Sequence, residues 1–305
     1  MRFVLLILLL CGCERDDRLI TMNGQTMGTT WTLRTEADAQ AIRPTDLQQK
    51  LDAWEAILSH WRPDSAVSRF NSSTSTDWMA VPTEVIEVVE LAQQIGRATD
   101  HALDITLAPL VDLWGFGPKG KRDSPPTEAE VATAMARCGW QYLQVRHDPP
   151  ALRKTRPDLQ VNLSAVAEGW ALDQLARHLE AIGITKFLLE IGGEVLARGE
   201  WRVGIQTPGA PPGEAAQILQ LKDESIATSG VYRQNFTAEG KQRSHILDPR
   251  TGRPVEHELA SVSVIHASAT QADGFATALL VMGPAKGREL AEKLRLRVVW
   301  FERGK

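Results

Sequence analysis

The chain has very little cysteine: three in 305 residues, at positions 11 and 13 and then only Cys138. No disulfide can form within the body of the protein, and a metal site built from thiolates is excluded with it. Long apolar runs are equally scarce. The one unbroken stretch, residues 3–10, falls far short of the roughly 20 apolar residues that a membrane-spanning helix needs. Charge of one sign is missing in bulk, with 34 Lys and Arg against 38 Asp and Glu. That balance speaks against a nucleic-acid partner, which calls for a basic surplus on one face. Tyrosine is nearly absent, two residues against nine tryptophans, so flat apolar rings are offered with few phenolic hydroxyls. What remains, 43 % apolar and 24 % charged, is the composition of a folded globular protein, and the length suits one large domain or two intimate ones.

The first residues are of another kind. Arg2 precedes the apolar run, which ends in Leu10-Cys11-Gly12-Cys13. Charge, apolar stretch and small residue in that order make an export signal. The tetrapeptide is similar to a bacterial lipobox, with cleavage before Cys13 and lipid on its sulfur. This divides the chain into a signal peptide at 1–12, a lipidated tether at 13–20 and a single domain at 21–305. It places the protein on the periplasmic side of the bacterial cell membrane, held there by its lipid.

Within the domain, apolar spacing predicts a helix over 46–59, opened by Pro44-Thr45 with capping-box spacing between Thr45 and Gln48. Further helices are predicted over 83–96 and 165–182, the latter with Leu172, Leu175, Leu179 and Ile182 inward and Gly183 as its stop. Strands are predicted over 186–191, 201–206, 217–222, 261–266 and 295–301, with a small-residue helix over 269–282 and another opened by Pro284. Residues 115–126 and 207–213 read as loops. Helices and strands mix without regular alternation, so the expected fold class is α+β, mixed sheets with packed helices.

Several residue groups are chemically suggestive. Gly115-Phe116-Gly117-Pro118-Lys119-Gly120 fits a dinucleotide-binding pattern, but that pattern needs a strand before it and a helix after it. Here a short helix precedes and Pro125-Pro126 follows, which sets it aside. Asp273 and Thr277 stand four apart on a predicted helix, a carboxylate and a hydroxyl on one face, as Mg²⁺ accepts. The plain alternative is a helix-dipole carboxylate with Thr277 bonded to its own helix. His245 offers a base near neutral pH, and Asp248-Pro249-Arg250-Thr251-Gly252 after it is good turn chemistry. Glu190-Ile191-Gly192-Gly193-Glu194 is a close backbone approach to a ligand or a hairpin turn, and Asn162 or Ser164 is placed to cap a helix or meet an anion. No G-x-S-x-G elbow is present, so Ser-His-Asp hydrolysis is not expected.

In order along the chain, these groups resemble one family. The residues that carry the resemblance include Met27-Gly28-Thr29-Thr30-Trp31, the segment from Trp61-Arg62-Pro63-Asp64 to Phe70-Asn71, and Leu103-Asp104-Ile105-Thr106. They continue through Asn162-Leu163-Ser164-Ala165, Glu168-Gly169-Trp170, Ala227-Thr228-Ser229-Gly230, His245-Ile246-Leu247-Asp248 and Ala272-Asp273-Gly274-Phe275-Ala276-Thr277. Over about residues 21–282 the chain resembles the ApbE family of FAD:protein FMN transferases. The resemblance implies that FAD is cleaved at its pyrophosphate, AMP leaves, and FMN is joined by a phosphoester to a Thr or Ser of an acceptor protein. The family's acceptors are subunits of membrane redox pumps of the Nqr and Rnf type and related flavin carriers. Carried over by motif, the Mg²⁺ ligands fall on Ala165, Asp273 and Thr277. The FAD contacts fall on Met27, Trp61, Ala102, Leu103, Asp104, Asn162, Glu168 and Ile246. His245 is the candidate base for the acceptor hydroxyl, with Asp273 competing. Three positions depart from the family: Glu168 replaces lysine or another long polar residue, Asn162 a frequent aspartate, and Trp61 a frequent tyrosine. Two other activities stay open, FAD pyrophosphatase with water as acceptor, and a non-catalytic flavin-binding lipoprotein. Replacing Cys13 by Ser is expected to move the protein from the membrane to the soluble fraction with its chemistry intact. Membrane attachment that persists in fractionation would overturn the lipobox reading.

Overall fold

The computed structural model describes residues 19–36, 42–122, 124–208, 215–233, 235–238 and 241–303. The signal peptide, Cys13 and the tether up to residue 18 lie outside the described residues, as do residues 209–213 of the second loop. The remaining two tether residues, Leu19 and Ile20, open the first strand instead.

A seven-stranded sheet forms the frame: β1 (Leu19–Thr26), β2 (Thr29–Glu36), β3 (Phe187–Ile191), β4 (Glu194–Arg198), β5 (Ser225–Gly230), β6 (Leu259–His266) and β7 (Arg297–Glu302). The strands lie in chain order and every neighbouring pair is antiparallel. β1 and β2 are joined by Met27 and Gly28 alone, and both carry positive φ (49° and 78°). A two-residue turn of that sign matches the strands' right-handed twist. The helices are α1 (Pro44–Leu58), α2 (Ala66–Ser72), α3 (Thr83–Ala98), α4 (Ala108–Leu113), α5 (Glu128–Met135), α6 (Ala167–Ala181) and α7 (Ala269–Lys293).

Side chains alternate across the sheet. Phe187, Leu189, Ile191 and Leu196 meet Leu47 and Leu51 of α1 and Leu172, Leu175 and Leu179 of α6 on one face. Leu188, Val195, Ala197, Ile226 and Ile265 are covered on the other face by a hairpin of strands Glu200–Gln206 and Ala215–Lys222. Cover on both faces is why β3 is apolar at every position but Glu190. A second core on the helix side joins α2, α3, α6 and α7, with Trp54 of α1 edge-on to Trp170 of α6 at 5.4 Å.

The helix pair α6–α7 is held by two features. A Cβ on Gly169 would stand 2.5 Å from the Ala269 carbonyl oxygen, so only glycine allows this approach. Asp173 of α6, buried, then accepts four hydrogen bonds from the start of α7: Ala269 N (2.9 Å), Thr270 N (3.0 Å), Thr270 Oγ1 (2.6 Å) and Ser268 Oγ (2.7 Å). The carboxylate satisfies orphan N–H groups and complements the positive end of the helix.

α7 breaks where the sequence places two helices. Gly283 (φ 78°, ψ 178°) leaves helical geometry and Pro284 starts the second segment. Proline has no N–H to return to the Leu280 carbonyl. That carbonyl lies 2.7 Å from His257 Nε2, while His257 Nδ1 accepts from the Leu259 N–H (3.3 Å). The ring is thereby set as the Nε2–H tautomer, donating to Leu280.

Three local expectations are corrected. Thr45 does not cap α1: the helix starts at Pro44, whose fixed φ suits the first turn, and Gln48 turns outward to accept from Trp31 Nε1 (2.8 Å). Neither Asn162 nor Ser164 caps α6, which starts at Ala167. Asn162 Oδ1 instead accepts from Ser164 N (2.9 Å) in a local turn. Ile182 is 41 % exposed because α6 has ended before it. Replacing Asp173 by Ala is expected to lower unfolding stability by about 3 kcal/mol, because buried donors lose a charged acceptor. A loss below about 1 kcal/mol in urea titration would show that Asp173 does not hold α7.

Candidate functional site

Local chemistry brings separate segments to one place. Asp104 accepts from both Thr106 N (2.8 Å) and Thr106 Oγ1 (2.7 Å), folding residues 102–106 into a tight turn beyond α3. Asn162 N donates to Ile105 O (2.7 Å), which ties the segment before α6 to that turn. Ile246 N donates to Ser244 Oγ (3.0 Å), and Asp248 closes the next turn by accepting from Arg250 N (2.9 Å). Between these segments, the start of α6, the middle of α7 and the ends of β4 and β5 lies a cleft of about 290 Å³.

Of the residues picked from sequence, Trp61, Ala102, Leu103, Asp104, Asn162, Ala165, Glu168, His245, Ile246, Asp273 and Thr277 all line this cleft. Met27 does not. It sits in the β1–β2 turn, packs against both helix-side cores, and donates its N–H to Glu55 Oε2 at 2.9 Å. The dinucleotide-like glycine run follows α4 rather than a strand, as the spacing implied, and contributes Phe116 to the cleft. Phe116 meets the His245 ring edge-on at 6.2 Å. Trp61 is 54 % exposed at the mouth, free to cover a flat ligand ring.

Asp273 and Thr277 project from one face of α7, and Thr277 is not bonded back to its own helix. Its Oγ1 pairs with Ser229 Oγ of β5 at 2.9 Å. Asp273 is buried and accepts from Gly169 N at 3.3 Å. Burial pushes the Asp273 carboxyl well above the usual range, and the neighbouring charge of Glu194 pushes the same way. Glu168 is raised by burial and then by Glu194. Gly192 (φ 61°) makes room for it, since a Cβ there would stand 2.5 Å from Glu168 Oε2. Among the described residues no group of three or more His, Cys, Asp and Glu side chains is arranged to hold a metal ion by itself.

Among the polar residues of the cleft wall, His60, Glu194, Thr228, Ser229 and Arg233 were not singled out from the sequence. Glu194 and Ser229 were visible only as members of short motifs, and nothing in the pattern singles out Arg233, which reaches Glu194 at 3.3 Å from a loop 39 residues away. Burial pulls His60 down to about 4 against the opposing charge of Asp112, so His60 is a neutral ring at physiological pH.

Glu190, across the same Gly192–Gly193 turn, accepts from Gly193 N at 2.8 Å, yet burial pushes it up to about 7. The folded chain therefore holds this proton more tightly than the unfolded chain, where the carboxyl titrates near 4.5. Stability falls as pH rises through the window between those values, by up to about 3 kcal/mol from this group. Glu190→Gln is expected to flatten that part of the pH dependence. Parallel slopes for parent and variant in urea titrations across the window would remove Glu190 from it.

Known proteins resemble the chain in sequence and fold. A curated protein from Salmonella typhimurium named FAD:protein FMN transferase is 41 % identical over 308 residues, covering 95 % of this chain and 88 % of its own. One of the same name from Klebsiella pneumoniae is 40 % identical over 309 residues, covering 95 % and 88 %. The solved structure of the flavin transferase ApbE from Vibrio cholerae superposes with a TM-score of 0.86 at 36 % identity, covering 94 % of each chain. That of the Pseudomonas stutzeri flavinyl transferase ApbE gives 0.85 at 35 %, covering 94 % of this chain and 92 % of its own. With the ApbE family model matching residues 27–300 as well, the chain belongs to the ApbE family.

Proposed function

We propose that this protein is an FAD:protein FMN transferase. FAD is cleaved at its pyrophosphate, AMP departs, and the FMN phosphorus forms a new bond to the hydroxyl oxygen of a Thr or Ser on an acceptor protein. The observation that carries this reading is the convergence of Asp273, Thr277, His245 and Trp61 on one cleft in a chain of this family.

Transfer at phosphorus asks for positioning and charge neutralisation rather than covalent help. Trp61 at the mouth offers a ring face for the isoalloxazine or adenine, and the turn at 102–104 with Ile246 forms the adjoining walls. His245 accepts the proton of the incoming hydroxyl, with Asp273 the competing base. Distance to that hydroxyl decides between them before pKa does. The Asp273 carboxylate, the Thr277 hydroxyl and the Ala165 carbonyl are hard oxygen donors that fit Mg²⁺ with substrate phosphates completing the set. The fit rests on Asp273, a buried carboxylate with one N–H donor and the Glu194 charge beside it, a setting that a divalent cation relieves. When bound, Mg²⁺ would neutralise charge on the pyrophosphate oxygens. The acceptors that suit this chemistry are flavoprotein subunits of the Nqr or Rnf type, reached from a lipid-anchored position facing the periplasm.

The test is incubation of the protein with FAD and Mg²⁺, with and without an acceptor domain, read by intact mass and nucleotide analysis. One FMN gained by the acceptor with AMP released is the expected result. Free FMN and AMP at the same rate either way would make the protein an FAD pyrophosphatase, and unchanged bound FAD would make it a flavin carrier. Asp273→Ala is expected to lower turnover at least a hundredfold, in line with the loss of a metal-supported transition-state charge, while the melting curve stays cooperative. Normal flavinylation by that variant would overturn the metal assignment.

A further inference from the structure

Two adjacent residues that are not glycine stand in the left-handed region, Asp100 at φ 49° and His101 at φ 56°. A Cβ makes that region costly, and residues other than glycine enter it singly as a rule. Strain of this kind persists only where the surroundings hold it, and it gathers at ligand sites. Here the chain leaves α3 at Thr99 and doubles back through the two residues, His101 N donating to Gly96 O at 2.7 Å. Ala102, Leu103, Asp104 and Ile105 follow at once and line the cleft.

A ring contact holds His101. Its imidazole lies flat on the indole of Trp140, centroids 3.7 Å apart and planes 3° from parallel. Trp140 opens a single 3₁₀ turn (Trp140–Tyr142) behind the cleft, and neither ring lines the cleft itself. The second half of the cleft turn is fixed to the same segment by hydrogen bonds. Gly139 N donates to Thr106 Oγ1 at 2.7 Å, and the Trp140 N–H donates to the Asp104 carboxylate. In the first half the backbone bonds stay local, Ala102 N to Thr99 O at 3.1 Å and Leu103 N to Thr99 Oγ1 at 3.5 Å. The Leu103 side chain is anchored in the helix-side core, so the stack governs the backbone path that leads into it. We infer that His101, stacked on Trp140, is a positioning residue for the flavin dinucleotide, holding residues 102–105 in the path that presents them to the ligand. This rests on the flavin reading of the cleft.

The test is equilibrium binding of FAD by the full chain, measured beside its melting temperature. His101→Gly removes the ring and relieves the left-handed strain together. It is expected to melt close to the parent yet to bind FAD roughly threefold to tenfold more weakly, because an aromatic stack is worth about that factor in population. His101→Phe restores a flat ring and is expected to recover the parent's affinity to within about twofold. Trp140→Ala is expected to weaken binding as His101→Gly does, and the double variant to bind no more weakly than either alone, as two halves of one contact require. Parent-like affinity in both single variants would overturn the inference and leave the flavin reading standing. So would additive losses in the double variant, a Phe variant that does not recover, or affinities that fall only as the melting temperature falls, which would give the stack a purely structural role. A parent that does not bind FAD would overturn both.

Discussion

The grip of Asp173 on the first residues of α7 sets the position of everything that acts in the cleft. Four hydrogen bonds from one buried carboxylate locate the helix along its axis, and Gly169 sets how near α6 comes to it. Asp273 follows one turn later and Thr277 one turn after that, so a shift of the helix start would displace both donors together. The same contact carries Glu168, one residue before Gly169, to the opposite wall. Two helices and the ends of two strands thus form a single rigid unit, on which the looser turns at 102–106 and 244–248 close the cleft.

That unit gathers three carboxyl groups where water is scarce. Glu168, Glu194 and Asp273 face one half-buried guanidinium, Arg233, and burial raises two of the three carboxyls. Such an arrangement is unfavourable in isolation. The divalent cation proposed for this cleft would offset that cost. The fold tolerates the cost through the extensive apolar cores on both faces of the sheet.

Much of this was legible in the residue pattern, and unevenly so. The long amphipathic helices, the break at Gly283-Pro284 and the strands at 187–191 and 259–266 follow from apolar period and from glycine and proline chemistry. The capping box of α5, Thr127 with Glu130, was equally readable and went unread among the loop residues before it. The β1–β2 hairpin was hidden because both strands are half-polar and the turn uses methionine where glycine or asparagine is usual. In the site, motifs carried Asp273, Thr277, His245 and Trp61. Arg233 and His60 were illegible, since what places them in the cleft wall is packing beside residues remote in sequence, which no local spacing encodes. Met27 shows the converse: its motif marks a turn whose side chain belongs to the cores.

The histidine-supported break in α7 also divides the molecule mechanically. Before Gly283 the helix is clamped by Asp173 and carries Asp273 and Thr277. After it, the segment from Pro284 packs on the sheet's outer strand, with Arg288 over the Trp300 ring at 4.8 Å. A helix without a continuous hydrogen-bond ladder does not transmit torque as a rod does. Distortion of the sheet's outer edge is therefore absorbed at the hinge between Leu280 and Pro284, and the alignment of Asp273 with Thr277 is insulated from whatever is done to that end of the chain.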